Sequence, residues 1–94
     1  MIKTFADRRT HDLYFSGRSR RLPPGLARRA LRKLAQLNAA STLQDLRVPP
    51  SNRLHALPGD REGQHSIWVN GQWRICFRFE DSDAYEGEVC DYHD

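Results

Sequence analysis

Apolar residues recur at helical spacing as far as Leu37 and alternate with polar ones beyond the Pro49-Pro50 pair, so the chain divides into a helical half and a sheet half. From Pro23-Pro24 onward, Leu26, Ala27, Ala30, Leu31, Leu34 and Leu37 form one stripe, and Arg28, Arg29, Arg32, Lys33 and Gln36 form the opposite face. That spacing predicts an amphipathic helix with its basic side in water. Proline suits its start, because the first amides of a helix have no intrahelical acceptor. Ahead of it, Ile2 to Phe5 alternates as a short strand, and Asp7 to Ser16 suits a short helix with Asp7 as cap and Gly17 as stop. A further helical turn is expected from Ala40 to Asp45.

The second half reads as strands near Asn52 to His55, His65 to Val69, Trp73 to Phe79 and Tyr85 to Cys90. Their short links make consecutive strands antiparallel. A two-residue turn at Asn70-Gly71 would put Ile67 and Val69 on the face opposite Trp73, Ile75, Phe77 and Phe79. A three-residue loop restores the parity and is the expected one, since a one-residue slip moves a whole apolar set to water. The helices then cover those six residues. Ser66, Trp68, Arg74, Cys76 and Arg78 are left on an uncovered face. The expected fold is α+β, with an N-terminal strand and two helices packed on a mainly antiparallel twisted sheet, in a single domain spanning residues 1–94.

At 94 residues and 38% hydrophobic content the chain can bury one small core. No apolar run is long enough to span a bilayer, and the start Met1-Ile2-Lys3-Thr4-Phe5 lacks an apolar leader, so a cytoplasmic protein with no membrane partner is expected. Cys76 and Cys90 lack the spacing of a metal or redox motif, so they are expected to be sheet thiols, with no metal and no cofactor. The net charge of +3 hides an asymmetry: residues 1–33 hold ten Lys and Arg against Asp7 and Asp12. A polyanion such as nucleic acid fits that half.

Trp68, Arg74 and Arg78 on one face combine a stacking surface with guanidinium groups, as RNA recognition requires. Paired with Glu86 or Glu88, the same arginines would be structural. Histidine has the ordinary pKa closest to neutrality and suits proton transfer. His55 and His93 can reach an open cleft, whereas His65 is expected to pack and His11 to lie on the surface. Asp91-Tyr92-His93 sets an acid, a phenol and an imidazole in succession, although an extended backbone sends Tyr92 to the face opposite the other two. The Gly59–Gly63 loop is expected to close on local charge pairs.

The residues Leu54-His55-x-Leu57-x-Gly59-Asp60-Arg61-Glu62-Gly63, Ser66-Ile67-x-Val69, Trp73-Arg74-Ile75 and Asp91-Tyr92-His93 together resemble the HigB toxins of the wider RelE/ParE group. The resemblance implies a compact RelE-like α+β fold and a type II toxin that acts as a ribosome-dependent mRNA endonuclease. It implies neutralisation by a HigA-type helix-turn-helix antitoxin, with operator DNA bound only through the toxin–antitoxin complex. The positions it carries over as catalytic are His55, Arg74, Asp91, Tyr92 and His93. The implied chemistry is metal-independent attack of a ribose 2′-hydroxyl on the adjacent phosphate, giving a cyclic phosphate. Trp68, Arg78, Arg28, Arg29, Arg32 and Lys33 are the expected RNA-binding residues. Pro58 stands where some HigB toxins carry lysine, a charge that Arg53, Arg61 or Arg78 can replace. A ParE-like inhibitor of DNA gyrase and a non-catalytic RNA-binding module are the alternatives, and the presence of His55 with Asp91-Tyr92-His93 favours the nuclease.

Overall fold

The computed structural model describes residues 1–91. Two helices, α1 (Arg8–Ser16) and α2 (Pro24–Ala39), cover one face of a four-stranded antiparallel sheet in which β1 (His55–Ala56), β2 (His65–Trp68), β3 (Trp73–Glu80) and β4 (Asp83–Asp91) lie in chain order. Asp7 caps α1 by accepting from the Thr10 amide, and Gly17 ends it in the left-handed conformation that glycine adopts without a Cβ clash. The stripe of α2 is buried at Leu26, Ala27, Ala30, Leu34 and Leu37, with Leu31 half-buried at its margin. No helix among the described residues is long and apolar enough to cross a membrane.

The expected three-residue loop is present: the Val69 amide donates to the Trp73 carbonyl (2.9 Å), which leaves Asn70, Gly71 and Gln72 in the turn. Ile67 therefore pairs with Ile75, and both are fully buried under the helices. Ala84 and Val89 are also fully buried, although five positions on a period of two would send them to opposite faces. A bulge resolves this, because β3 pairs Cys76 with Glu88 but Arg78 with Tyr85, and the extra residue, Glu86, has φ of 55°.

The N-terminal segment makes only two isolated parallel bridges to β4, Ile2 to Ala84 and Phe5 to Gly87, rather than a full strand. The helices are tied to the sheet by polar bonds as well as packing. The Val89 amide donates to the buried Thr10 hydroxyl (2.9 Å), and Arg9 donates to the Val89 carbonyl (2.7 Å) while lying 5.4 Å above the Trp73 ring.

Two local expectations need correction. The turn after α2 is a 3-10 helix at Leu43–Arg47, displaced from residues 40–45 because the capping box of Thr42 and Asp45 sets its start. Asn52 belongs to a 3-10 turn (Pro50–Asn52), not to β1. Its buried side chain donates to Gln36 Oε1 (3.1 Å) and the Leu46 carbonyl (3.2 Å) and accepts from Lys33 Nζ, so bonding to α2 outweighs strand alternation there.

Candidate functional site

The sheet face away from the helices is organised in rows across the strands. His55, Ser66, Cys76 and Glu88 stand directly across from one another, and the next row holds Trp68, Arg74 and Cys90. Cross-strand partners share a face, so three separate stretches of sequence deliver His55, Trp68 and Arg74 to one surface. With two strand spacings between them and one row of offset, the Cα atoms of His55 and Arg74 are about 12 Å apart.

This face is less open than the sequence suggests. Ser66 and Cys76 are buried and Cys90 is almost fully so, against the expectation of an uncovered surface. The Gly59–Gly63 loop, expected to close on local charge pairs, instead reaches this face through Arg61. Arg61 Nη1 donates to Gln64 Oε1 (3.0 Å) and to Glu88 Oε1 (3.1 Å), across the sheet to β4. That bond to Glu88 raises the guanidinium pKa and fixes a positive charge beside both thiols. Cys90 Sγ donates to the Glu88 carbonyl (3.8 Å), and the interaction between the two thiols lowers the pKa of Cys76 and raises that of Cys90.

The expected RNA-binding residues divide into three groups. Arg28, Arg29 and Arg32 are exposed along α2, as the periodicity predicts. Lys33 differs from them: its ammonium donates to Asn52, and burial, followed by repulsion from Arg29 and Arg32, lowers its pKa. Trp68 and Arg78 are on the expected face but already engaged. Arg53 lies over the Trp68 ring, with Cζ 4.3 Å from its centroid. Arg78 Nε donates to Glu86 Oε2 (2.6 Å), and its guanidinium covers Gly63, where a Cβ would approach to 2.6 Å.

Asp91 pairs with Trp73, which puts it in the helix-side row rather than beside Arg74, and its carboxylate accepts from Gln72 Nε2 (3.2 Å). Tyr92 and His93 lie outside the described residues. His65 stacks on Phe77 and His11 packs with Phe5 and Phe15, in keeping with structural roles. The basic Arg18–Arg21 segment borders a groove of about 870 Å³ that also includes Arg8 and Phe15, on the α1 side of the molecule. Sequence reasoning gave Arg53 and Arg61 no role beyond spare charge. The available signal was that Arg53 is two positions from His55 and so could share its face.

Residues 3–93 match the family described as RelE-like toxin of type II toxin-antitoxin system HigB. The chain belongs to the HigB-like toxin family. It is 40% identical to Toxin HigB-1 of Vibrio cholerae serotype O1 over 85 residues, covering 89% of this chain and 90% of that one. It is 36% identical to Endoribonuclease HigB of Proteus vulgaris over 93 residues, covering 99% of this chain and all of that one. In fold, this HigB-like toxin resembles a chain of the YoeB-YefM complex from Staphylococcus aureus, with a TM-score of 0.62 at 12% identity, covering 100% of this chain and 99% of that one. The structural match agrees with the α+β architecture expected from the sequence, and the family description gives the toxin as RelE-like.

Proposed function

We propose that this type II toxin is an endoribonuclease that cuts mRNA on the ribosome and is neutralised in the cytoplasm by a HigA-type helix-turn-helix antitoxin. The observation that carries the reading is the placement of His55 and Arg74 on one sheet face, one row apart, in a chain 36% identical to Endoribonuclease HigB. Arg74 is the phosphate ligand. Its guanidinium matches a phosphate with two parallel N–H groups and contributes most where negative charge builds up on the oxygens.

The reaction begins when a general base removes the 2′-hydroxyl proton and the resulting oxygen attacks the neighbouring phosphorus. The bond to the 5′-oxygen breaks, and a general acid protonates that oxygen, leaving a 2′,3′-cyclic phosphate and a 5′-hydroxyl without a metal ion. His55 and His93 are the base and acid. Tyr92 holds the RNA by hydrogen bonding or stacking, and Asp91 orients an imidazole from the edge of the sheet. So small a site depends on outside alignment of the RNA, which the ribosome supplies. The exposed arginines of α2 grip ribosomal RNA through salt-sensitive phosphate contacts. Operator DNA is bound only through the complex with the antitoxin.

The test is growth arrest on expression. Arrest by the wild type, its loss in Arg74→Ala and His93→Ala, and continued capture of both variants by the antitoxin are the expected results. Arrest by both variants without mRNA cleavage would instead point to a ParE-like action on DNA gyrase.

A further inference from the structure

The Arg53–Trp68 pair is built differently from the other guanidinium groups on this face. Arg61 and Arg78 donate to Glu88 and Glu86, whereas among the described residues no carboxylate pairs with Arg53. Its backbone is fixed in the left-handed region (φ 48°, ψ 51°) at the end of the Pro50–Asn52 turn, and its amide donates to the Pro50 carbonyl (3.0 Å). That turn is anchored in the core by buried Asn52. The left-handed region is disfavoured for a residue with a Cβ, so the anchored turn directs the exposed Arg53 back over the sheet against a local preference. The guanidinium carbon lies 4.3 Å from the indole centroid, and Trp68 stands directly across from Arg74, so the exposed Arg53 sits over the row that holds Arg74.

We propose that Arg53, held flat by Trp68, is a stacking platform for one base of a single-stranded RNA, placed so that the neighbouring phosphate reaches Arg74. This deepens the ribonuclease reading and rests on it for the identity of the ligand. A guanidinium plane stacks on any base, so the platform fixes the position of the strand without reading its sequence. Trp68 is a positioning residue that acts through Arg53. Lysine cannot take the place of Arg53, because an ammonium group carries the charge but has no plane to stack on.

The direct test uses a short single-stranded RNA that contains 2-aminopurine and has its 2′-hydroxyls blocked, so that it binds without being cut. Full-length wild-type toxin is expected to quench the 2-aminopurine on binding. Arg53→Lys and Trp68→Leu should each weaken binding by roughly tenfold, the range for one base that no longer stacks. Trp68→Phe, which keeps an aromatic face, should restore most of the affinity, and Arg53→Lys combined with Trp68→Leu should lose little more than either alone. Absence of quenching with the wild type, or wild-type affinity in Arg53→Lys, would overturn the platform. Because the probe cannot be cleaved, quenching by a protein that fails to cut ribosome-bound mRNA would sustain the platform while the nuclease reading fails, and cleavage without quenching would do the reverse.

Discussion

Asp91 of β4 stands directly across from Trp73 of β3, one position out of step with the Arg74–Cys90 pair, so the acid and the arginine lie on opposite faces of the same sheet. Their contributions to catalysis should therefore be unequal. Arg74→Ala should lower kcat on ribosome-bound mRNA by about 10²- to 10³-fold, the loss typical of removing a group aimed at developing charge. Asp91→Asn, which keeps the acceptor oxygen facing Gln72, should cost clearly less. Single-turnover cleavage rates decide the order, and an Asp91→Asn defect as large as that of Arg74→Ala would put the carboxylate in direct contact with the reacting groups.

Asn52 should be the polar residue whose loss costs most in stability. Asn52→Ala removes the hydrogen bonds donated to Gln36 Oε1 and the Leu46 carbonyl and leaves the Lys33 ammonium without its buried acceptor. A loss of about 2 kcal/mol, or roughly 10 °C in Tm, is expected. Thermal unfolding measures it, and a variant within about 0.5 kcal/mol of wild type would show that water replaces the whole network.

The α2 arginines should set affinity rather than chemistry. Replacing Arg28, Arg29 and Arg32 with glutamine should weaken ribosome binding and flatten its dependence on salt by about three units of log–log slope, near one for each phosphate left without its arginine. Lys33→Gln should instead lower Tm, because that side chain serves Asn52. Unchanged ribosome binding together with lost antitoxin binding in the triple variant would assign the basic face to the protein partner.

Acid should loosen the turn after α2. The Ser41 and Thr42 amides hydrogen-bond the Asp45 carboxylate and hold its pKa below the ordinary aspartate value. A carboxyl whose folded pKa is depressed stabilises the fold fully above its unfolded value, and that stability is lost as pH falls through the folded value. The wild type should therefore lose stability below about pH 4. Asp45→Asn should lose less over the same interval, as read from unfolding midpoints between about pH 6 and 3. Identical acid limbs would show that this capping box does not contribute.

Much of the fold was legible because burial imposes a period. The α2 stripe, the three-residue loop between β2 and β3, and the pairing of Ile67 with Ile75 all follow from keeping one apolar set dry. Features that arise between distant residues were not legible. Glu86 gives no sign in the sequence that it is the extra residue of a bulge, since Ala84 and Val89 require one only when both meet the same helices. Arg61 belongs to a charged loop, yet its partner, Glu88, is on another strand. Of the site, sequence alternation placed Trp68, Arg74 and Arg78 on one face and offered Glu86 as a partner for an arginine there, but it could not foresee that Arg53 lies over Trp68.

Cleavage of one mRNA, measured both on ribosomes and free in solution with the new ends mapped, tests the central claim most directly. The wild type should cut the ribosome-bound RNA far faster, leaving a 2′,3′-cyclic phosphate and a 5′-hydroxyl, and Arg74→Ala should leave that RNA intact. Equal rates on the two substrates, or cutting by Arg74→Ala at the wild-type rate, would contradict it.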